Sequence, residues 1–149
     1  LATLGGTVKL RSRRRRRSVA ASEFFCGVLT TAREADELVE SAQFPMPKQK
    51  AQYGFVEVSM RHGDFALVAL AGMVSEHSVQ LGVGGVADRP WVETLPSGSG
   101  DDLDAALEDL AWKLDAQDDQ HASARYRRHL VRNLGKKLIT ELSVGLKQS

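Results

Sequence analysis

Four leucines near the C-terminal end, Leu103, Leu107, Leu110 and Leu114, recur at spacings of four, three and four. That spacing sets all four on one stripe of an α-helix, predicted over about residues 101 to 116, and an apolar stripe needs a surface to cover it. The pair Asp101-Asp102 suits its start, where carboxylates meet the positive end of the helix dipole. A second helix is predicted from about Ser123 to Leu142, burying Tyr126, Leu130, Leu134 and Leu138 while Arg125, Arg127, Arg128, Arg132, Lys136 and Lys137 largely face water. Gly135 should weaken that helix by about 1 kcal/mol relative to alanine, which an apolar face can offset.

Upstream the period changes. Thr7 to Leu10 and Val19 to Ala21 are short strand-like runs on either side of an arginine block, whose like charges favour a solvated hairpin tip or flank. Ser22 to Pro45 reads as an exposed acidic turn feeding a strand that stops at the proline, and Pro45 to Lys50 as a linker. Tyr53 to Met60 has the pattern of a half-buried strand, Arg61 to Asp64 of a turn, and Phe65 to Val74 of a central strand covered on both faces. Ser75 to Ser78 should reverse the chain into Val79 to Val86, and Pro96 to Gly100 should connect flexibly to the helices. Strands first and helices second predict an α+β fold, an antiparallel sheet packed on C-terminal helices.

The formal charge is +1, from 20 basic and 19 acidic side chains. Residues 9 to 17 hold seven of those basic groups, so the rest of the chain is net acidic. An arginine block can bind phosphates, but no aromatic is interleaved to stack on bases, and no nucleic-acid partner is expected. There is no apolar run long enough to span a bilayer and no signal-peptide core, so no membrane partner and a cytoplasmic location are expected. Cys26 is the single cysteine, which excludes an intrachain disulfide and any Cys-rich metal site built from this chain alone. His62, His77, His121 and His129 are scattered, so no metal site is expected. No nucleophile-and-base pattern assigns a catalytic residue. Gly82-Val83-Gly84-Gly85 invites a phosphate-loop reading, but Asp88-Arg89-Pro90 follows where a helix should begin, leaving a strand whose glycines allow a bulge or close packing.

Several segments in order carry a family resemblance: Glu23-Phe24-Phe25-Cys26-Gly27, Thr30-Thr31, Glu37-Leu38-Val39, Phe44-Pro45, Tyr53-Gly54-Phe55, Arg61 to Ala66, Leu81 to Val86, and Asp119 to Arg128. Together they resemble the C-terminal half of the FAD-binding medium subunit of molybdenum hydroxylases, the carbon monoxide dehydrogenase and xanthine dehydrogenase relatives. The resemblance implies residues 1–47 as the C-terminal remnant of an FAD-binding domain and residues 51–149 as the flavoprotein C-terminal domain. It also implies an oxidoreductase subunit that works only within a complex. There FAD takes electrons from an iron–sulfur small subunit, loaded by a molybdopterin large subunit, and passes them to an acceptor. Val39 corresponds to an aliphatic residue beside the flavin. Where relatives place a lysine after the aromatic of the next strand, this chain has Val56 and Glu57. The glycine loops that hold the FAD pyrophosphate belong to the missing N-terminal FAD-binding half. The chain, which starts at Leu1, is therefore expected to be a fragment or truncation that binds FAD poorly alone. The other reading is a cofactor-free interaction module or a truncated non-functional homologue.

Overall fold

A computed structural model describes residues 1–47, 50–97 and 100–148. Lys48 and Gln49 of the predicted linker, and Gly98 and Ser99 of the predicted flexible connection, lie outside the described residues. After a 3-10 turn at Ala2–Leu4, strands β1 (Thr7–Arg11) and β2 (Arg16–Ala20) form the expected hairpin. Its tip is tied by Ser12, whose Oγ accepts from the backbone N–H groups of Arg14 and Arg15. The segment that follows is more broken than the sequence suggested: a one-turn helix α1 (Ala21–Phe24) and a two-stranded ribbon of β3 (Phe25–Gly27) and β4 (Thr30–Thr31) precede β5 (Leu38–Gln43). β5 stops before Pro45 as expected and pairs antiparallel with β1, giving the order β2-β1-β5. Alternation on β1 sends Val8 and Leu10 inward to meet Val19 and Phe24 in a small core.

The larger unit is a meander of β6 (Ala51–Ser59), β7 (Ala66–Ser75), β8 (Val79–Gly84) and β9 (Trp91–Leu95), every neighbouring pair antiparallel. β9 was not anticipated: five residues behind Asp88-Arg89-Pro90 are too few for their pattern to announce a strand, and they are held by pairing with β8. Helices α2 (Asp101–Lys113) and α3 (Ala124–Gln148) cover one face of this sheet. Leu103, Leu107, Leu110 and Leu114 are all buried there against Leu70, Leu81, Leu130, Val131, Leu138 and Ile139. Close approach is set by a cross-strand glycine pair, Gly54 opposite Gly72. A Cβ at Gly54 would lie 2.7 Å from Leu138 Cδ1, and one at Gly72 2.9 Å from Leu142 Cδ1.

The last helix departs from its predicted face. Tyr126 is exposed and Arg127 is buried, the reverse of the sequence expectation. Leu130, Val131, Leu138 and Ile139 fix the buried stripe, and at 100° per residue Arg127 falls on it while Tyr126 falls beside it. The helix also continues six residues beyond Leu142, with Leu146 packed at the edge of the core.

Candidate functional site

Val39, the one residue assigned to a cofactor from the sequence, lies on β5 opposite Leu10 and is 52% exposed; its neighbour Leu38 is 74% exposed. Beside its pairing with β1, this exposed strand is held by a polar anchor immediately before it. Glu37, expected in an exposed acidic turn, is only 1% exposed. Arg17 Nε and Nη2 donate to its two carboxylate oxygens, both at 2.8 Å, and the same Nη2 donates to the Ala32 carbonyl at 2.6 Å. The Glu34 backbone N–H also donates to Glu37 Oε2, and Arg33 donates to the Glu37 carbonyl. Arg17 first, and the Glu34 N–H second, hold the Glu37 carboxyl down at about 2 against an ordinary 4.5. Its bond to Glu37 likewise raises the Arg17 guanidinium. A carboxylate this well paired stays ionised and fixes the start of β5.

The arginine block is thereby largely accounted for. Arg11 and Arg16 pair with Glu40, and Arg15 pairs with Glu34 as well as approaching Glu37. Only the tip residues Arg13 and Arg14 make no ion pair among the described residues.

The glycine run is filled by the protein itself. A Cβ at Gly82 would collide with Thr3 Oγ1, and one at Gly85, where φ is +80°, would lie 2.6 Å from the Ala66 carbonyl oxygen. The N-terminal 3-10 turn thus lies across the sheet face that the helices leave open. Beside it runs an apolar groove of about 220 Å³ lined by Phe25, Phe55, Ala71, Gly82 and Val92. Tyr53 and Glu57 are exposed on that same face, whereas Val56 packs towards the helices. Among the described residues, no group of three His, Cys, Asp or Glu side chains could hold a metal, and no helix is long and apolar enough to cross a membrane.

A second anchor escaped the sequence reading. Buried Arg127 donates through Nη1 to the carbonyls of Leu67 (2.8 Å) and Gly85 (2.6 Å), and through Nη2 to Asp119 Oδ2 (2.5 Å). Asp119 Oδ1 accepts the backbone N–H groups of His121 and Ala122. Those N–H groups, Ala122 first, and then Arg127 hold the Asp119 carboxyl at about 2 against an ordinary 3.8. The start of α3, the turn after β8 and the start of β7 are joined at one guanidinium. The signal was available: an arginine in phase with an apolar stripe.

No family model matches the chain. It is 31% identical over 153 residues to the nicotine 6-hydroxylase medium subunit of Paenarthrobacter nicotinovorans, covering 95% of this chain and 53% of that protein. It is 34% identical over 156 residues to the glyceraldehyde dehydrogenase medium chain of Sulfolobus acidocaldarius, covering 96% and 55%. Among solved structures, reconstituted carbon monoxide dehydrogenase from Oligotropha carboxidovorans superposes with a TM-score of 0.81 at 21% identity, over 96% of this chain and 54% of that one, a likeness of fold. The chain spans about half the length of the curated relatives it matches. A match along nearly its whole length to two medium subunits makes the chain a member of the FAD-containing medium-subunit family of the molybdenum hydroxylases.

Proposed function

We propose that the chain is the C-terminal part of the FAD-containing subunit of a molybdopterin-dependent hydroxylase or dehydrogenase. Within the complex it supports electron transfer from the iron–sulfur clusters of a small subunit, loaded by a molybdopterin large subunit, through FAD to an acceptor. Residues 1–47 form the end of the FAD-binding domain and residues 51–149 the C-terminal domain. The two separate cores support that division, one built on Val8, Leu10, Val19 and Phe24 and the other between the meander and its helices.

The observation that carries this reading is where the chain leaves apolar surface uncovered. Val28, Leu29, Leu38, Val39, Phe44 and Met46 are exposed on the N-terminal unit, and Tyr53 and Phe55 on the open face of the meander. Concentrated apolar exposure of this kind marks a surface made to be covered. The assembly of a larger flavoprotein supplies such a cover.

The fit to FAD is partial. Val39, on the face of β5 opposite to that of Leu38, offers aliphatic contact suited to one side of a flat ring. The glycine run, with Gly82 closed by Thr3 and Gly85 by the Ala66 carbonyl, leaves no room for a pyrophosphate. FAD supplies the redox chemistry when bound, and this chain's part is to shape one apolar wall and hold it rigid through Arg17 and Glu37. We expect the chain alone to bind FAD poorly. Purification from the source organism tests the proposal: the chain should co-purify with flavin, an iron–sulfur polypeptide and a molybdenum-containing polypeptide. Recovery of the intact chain free of all three would overturn it.

A further inference from the structure

Helices α2 and α3 run antiparallel, and their outward faces meet in a ladder with steps of four residues on each side. Asp104 pairs with Lys136 at 2.7 Å, and one turn on, Glu108 pairs with Arg132. The next rung breaks the pattern. Position 112 is tryptophan rather than an acid, and Arg128 lies over its ring at 4.2 Å from the centroid. The indole is held in place, since its Nε1–H donates to Glu108 Oε1 at 2.9 Å, yet Trp112 remains 62% exposed. Beside it is a recess of about 330 Å³ lined by Glu108, Trp112, Arg125, Arg128 and Arg132. Glu108 already serves Arg132, and neither Arg125 nor Arg128 makes an ion pair among the described residues. Glu108 lines the recess and its charge is felt by Arg128, but its oxygens are committed to Arg132 and Trp112, so against a fixed aromatic wall the recess presents two guanidinium groups that make no ion pair among the described residues.

We infer that this open third rung docks an acidic segment of a partner protein, a carboxylate of which takes the place before Arg128 that Asp104 and Glu108 hold before Lys136 and Arg132. Charge complementarity identifies the occupant. The two completed rungs show that this helix pair satisfies its cations with carboxylates, and the third offers the same geometry with the carboxylate left out. Tryptophan and arginine together are the residue types that dominate binding energy at protein interfaces, because both bring large contact area with a polar handle. The inference is independent of the flavin reading, since the ladder lies on the helices, on the opposite side of the meander from its open face.

The probe is a fluorescein-labelled octaglutamate peptide, titrated into the chain at low ionic strength and followed by anisotropy. Saturable binding that weakens with added salt is expected, as screening acts on exposed charges. Replacing both arginines, Arg125→Ala with Arg128→Ala, should weaken it by about tenfold or more, the scale of losing charge-assisted hydrogen bonds. Trp112→Glu should do the same by closing the rung from within, with helical circular dichroism retained. Arg13→Ser with Arg14→Ser, at the hairpin tip, should leave it unchanged. Binding that survives Trp112→Glu and the double alanine variant, or that is lost with the hairpin-tip variant, overturns the inference. So does a preference for a single-stranded oligonucleotide of equal charge, which would make the recess a nucleic-acid site.

Discussion

Replacing Arg127 with methionine removes one guanidinium on which three parts of the chain converge. Methionine keeps much of the apolar stem, so the loss is mainly polar. The carbonyl oxygens of Leu67 and Gly85 lose their donor; the buried Leu67 acceptor left unsatisfied costs about 1–3 kcal/mol, whereas water can reach the carbonyl of exposed Gly85, whose share is left out. Asp119 is 46% exposed, so water replaces most of what Arg127 gives it and its share is left out. Urea unfolding followed by circular dichroism measures the effect: with a slope of about 2 kcal/mol per molar, the midpoint should fall by about 0.5–1.5 M. The acid limb separates the arginine from its partner. The folded Asp119 carboxyl titrates at about 2, below its ordinary 3.8, so its stabilisation is complete above 3.8 and is lost as pH falls towards 2. Because the backbone N–H groups of Ala122 and His121 lead that shift, most of this limb should persist in Arg127→Met and disappear in Asp119→Asn. A midpoint that moves by less than about 0.3 M would refute the reasoning, since it would mean the buried Leu67 carbonyl also finds water when the arginine goes.

Three further outcomes are expected. Glu37→Gln should remove the stabilisation present above pH 4.5 and lost as pH falls towards about 2, and should speed amide hydrogen exchange along β5, read by mass spectrometry. Gly72→Leu drives a side chain into Leu138 and Leu142, and should cost about 1–3 kcal/mol or more in urea unfolding through overpacking. In the assembled complex, Val39→Asp should lower the flavin-to-protein ratio that survives desalting while the chain alone keeps its circular dichroism spectrum, because Val39 lies outside both cores.

Where one side of an element packs and the other is wet, the sequence was readable. The leucine spacing of α2 gave its buried face residue by residue, and β6 to β8 followed from apolar runs separated by short polar turns. β3, β4 and β9 were not readable, because two to five residues held by backbone pairing leave no period to detect. The two anchors were misread for another reason. Charged side chains are usually exposed, so Glu37 was placed in a turn at the surface and Arg127 on a wet helix face. The phase of Arg127 with the apolar stripe was visible locally, but its acceptors Leu67 and Gly85, 60 and 42 residues away in sequence, are brought to it by the meander and were not. Val39 is the opposite case, an exposed aliphatic residue with no physical signal of its own, assigned by resemblance alone.

The two anchors do different work, and the difference bears on the proposed assembly. Arg127 ties elements that already share the large core between meander and helices, so its bonds add to packing that exists without them. Arg17 and Glu37 sit in a unit whose small core cluster is Val8, Leu10, Val19 and Phe24, and whose edge strand β5 is exposed at every position. Little hydrophobic burial holds β5, so beyond its backbone pairing with β1 its position rests on the bidentate pair and on the bulge that sets Glu40 against Arg11 and Arg16. A strand fixed by backbone pairing and charge rather than by side-chain packing leaves Leu38 and Val39, on its two opposite faces, free to be covered by something else. Such exposure suits the proposed cover by a cofactor or a neighbouring lobe, and because the Glu37 carboxyl is held at about 2, the support it gives the start of β5 is lost as pH falls from 4.5 towards that value.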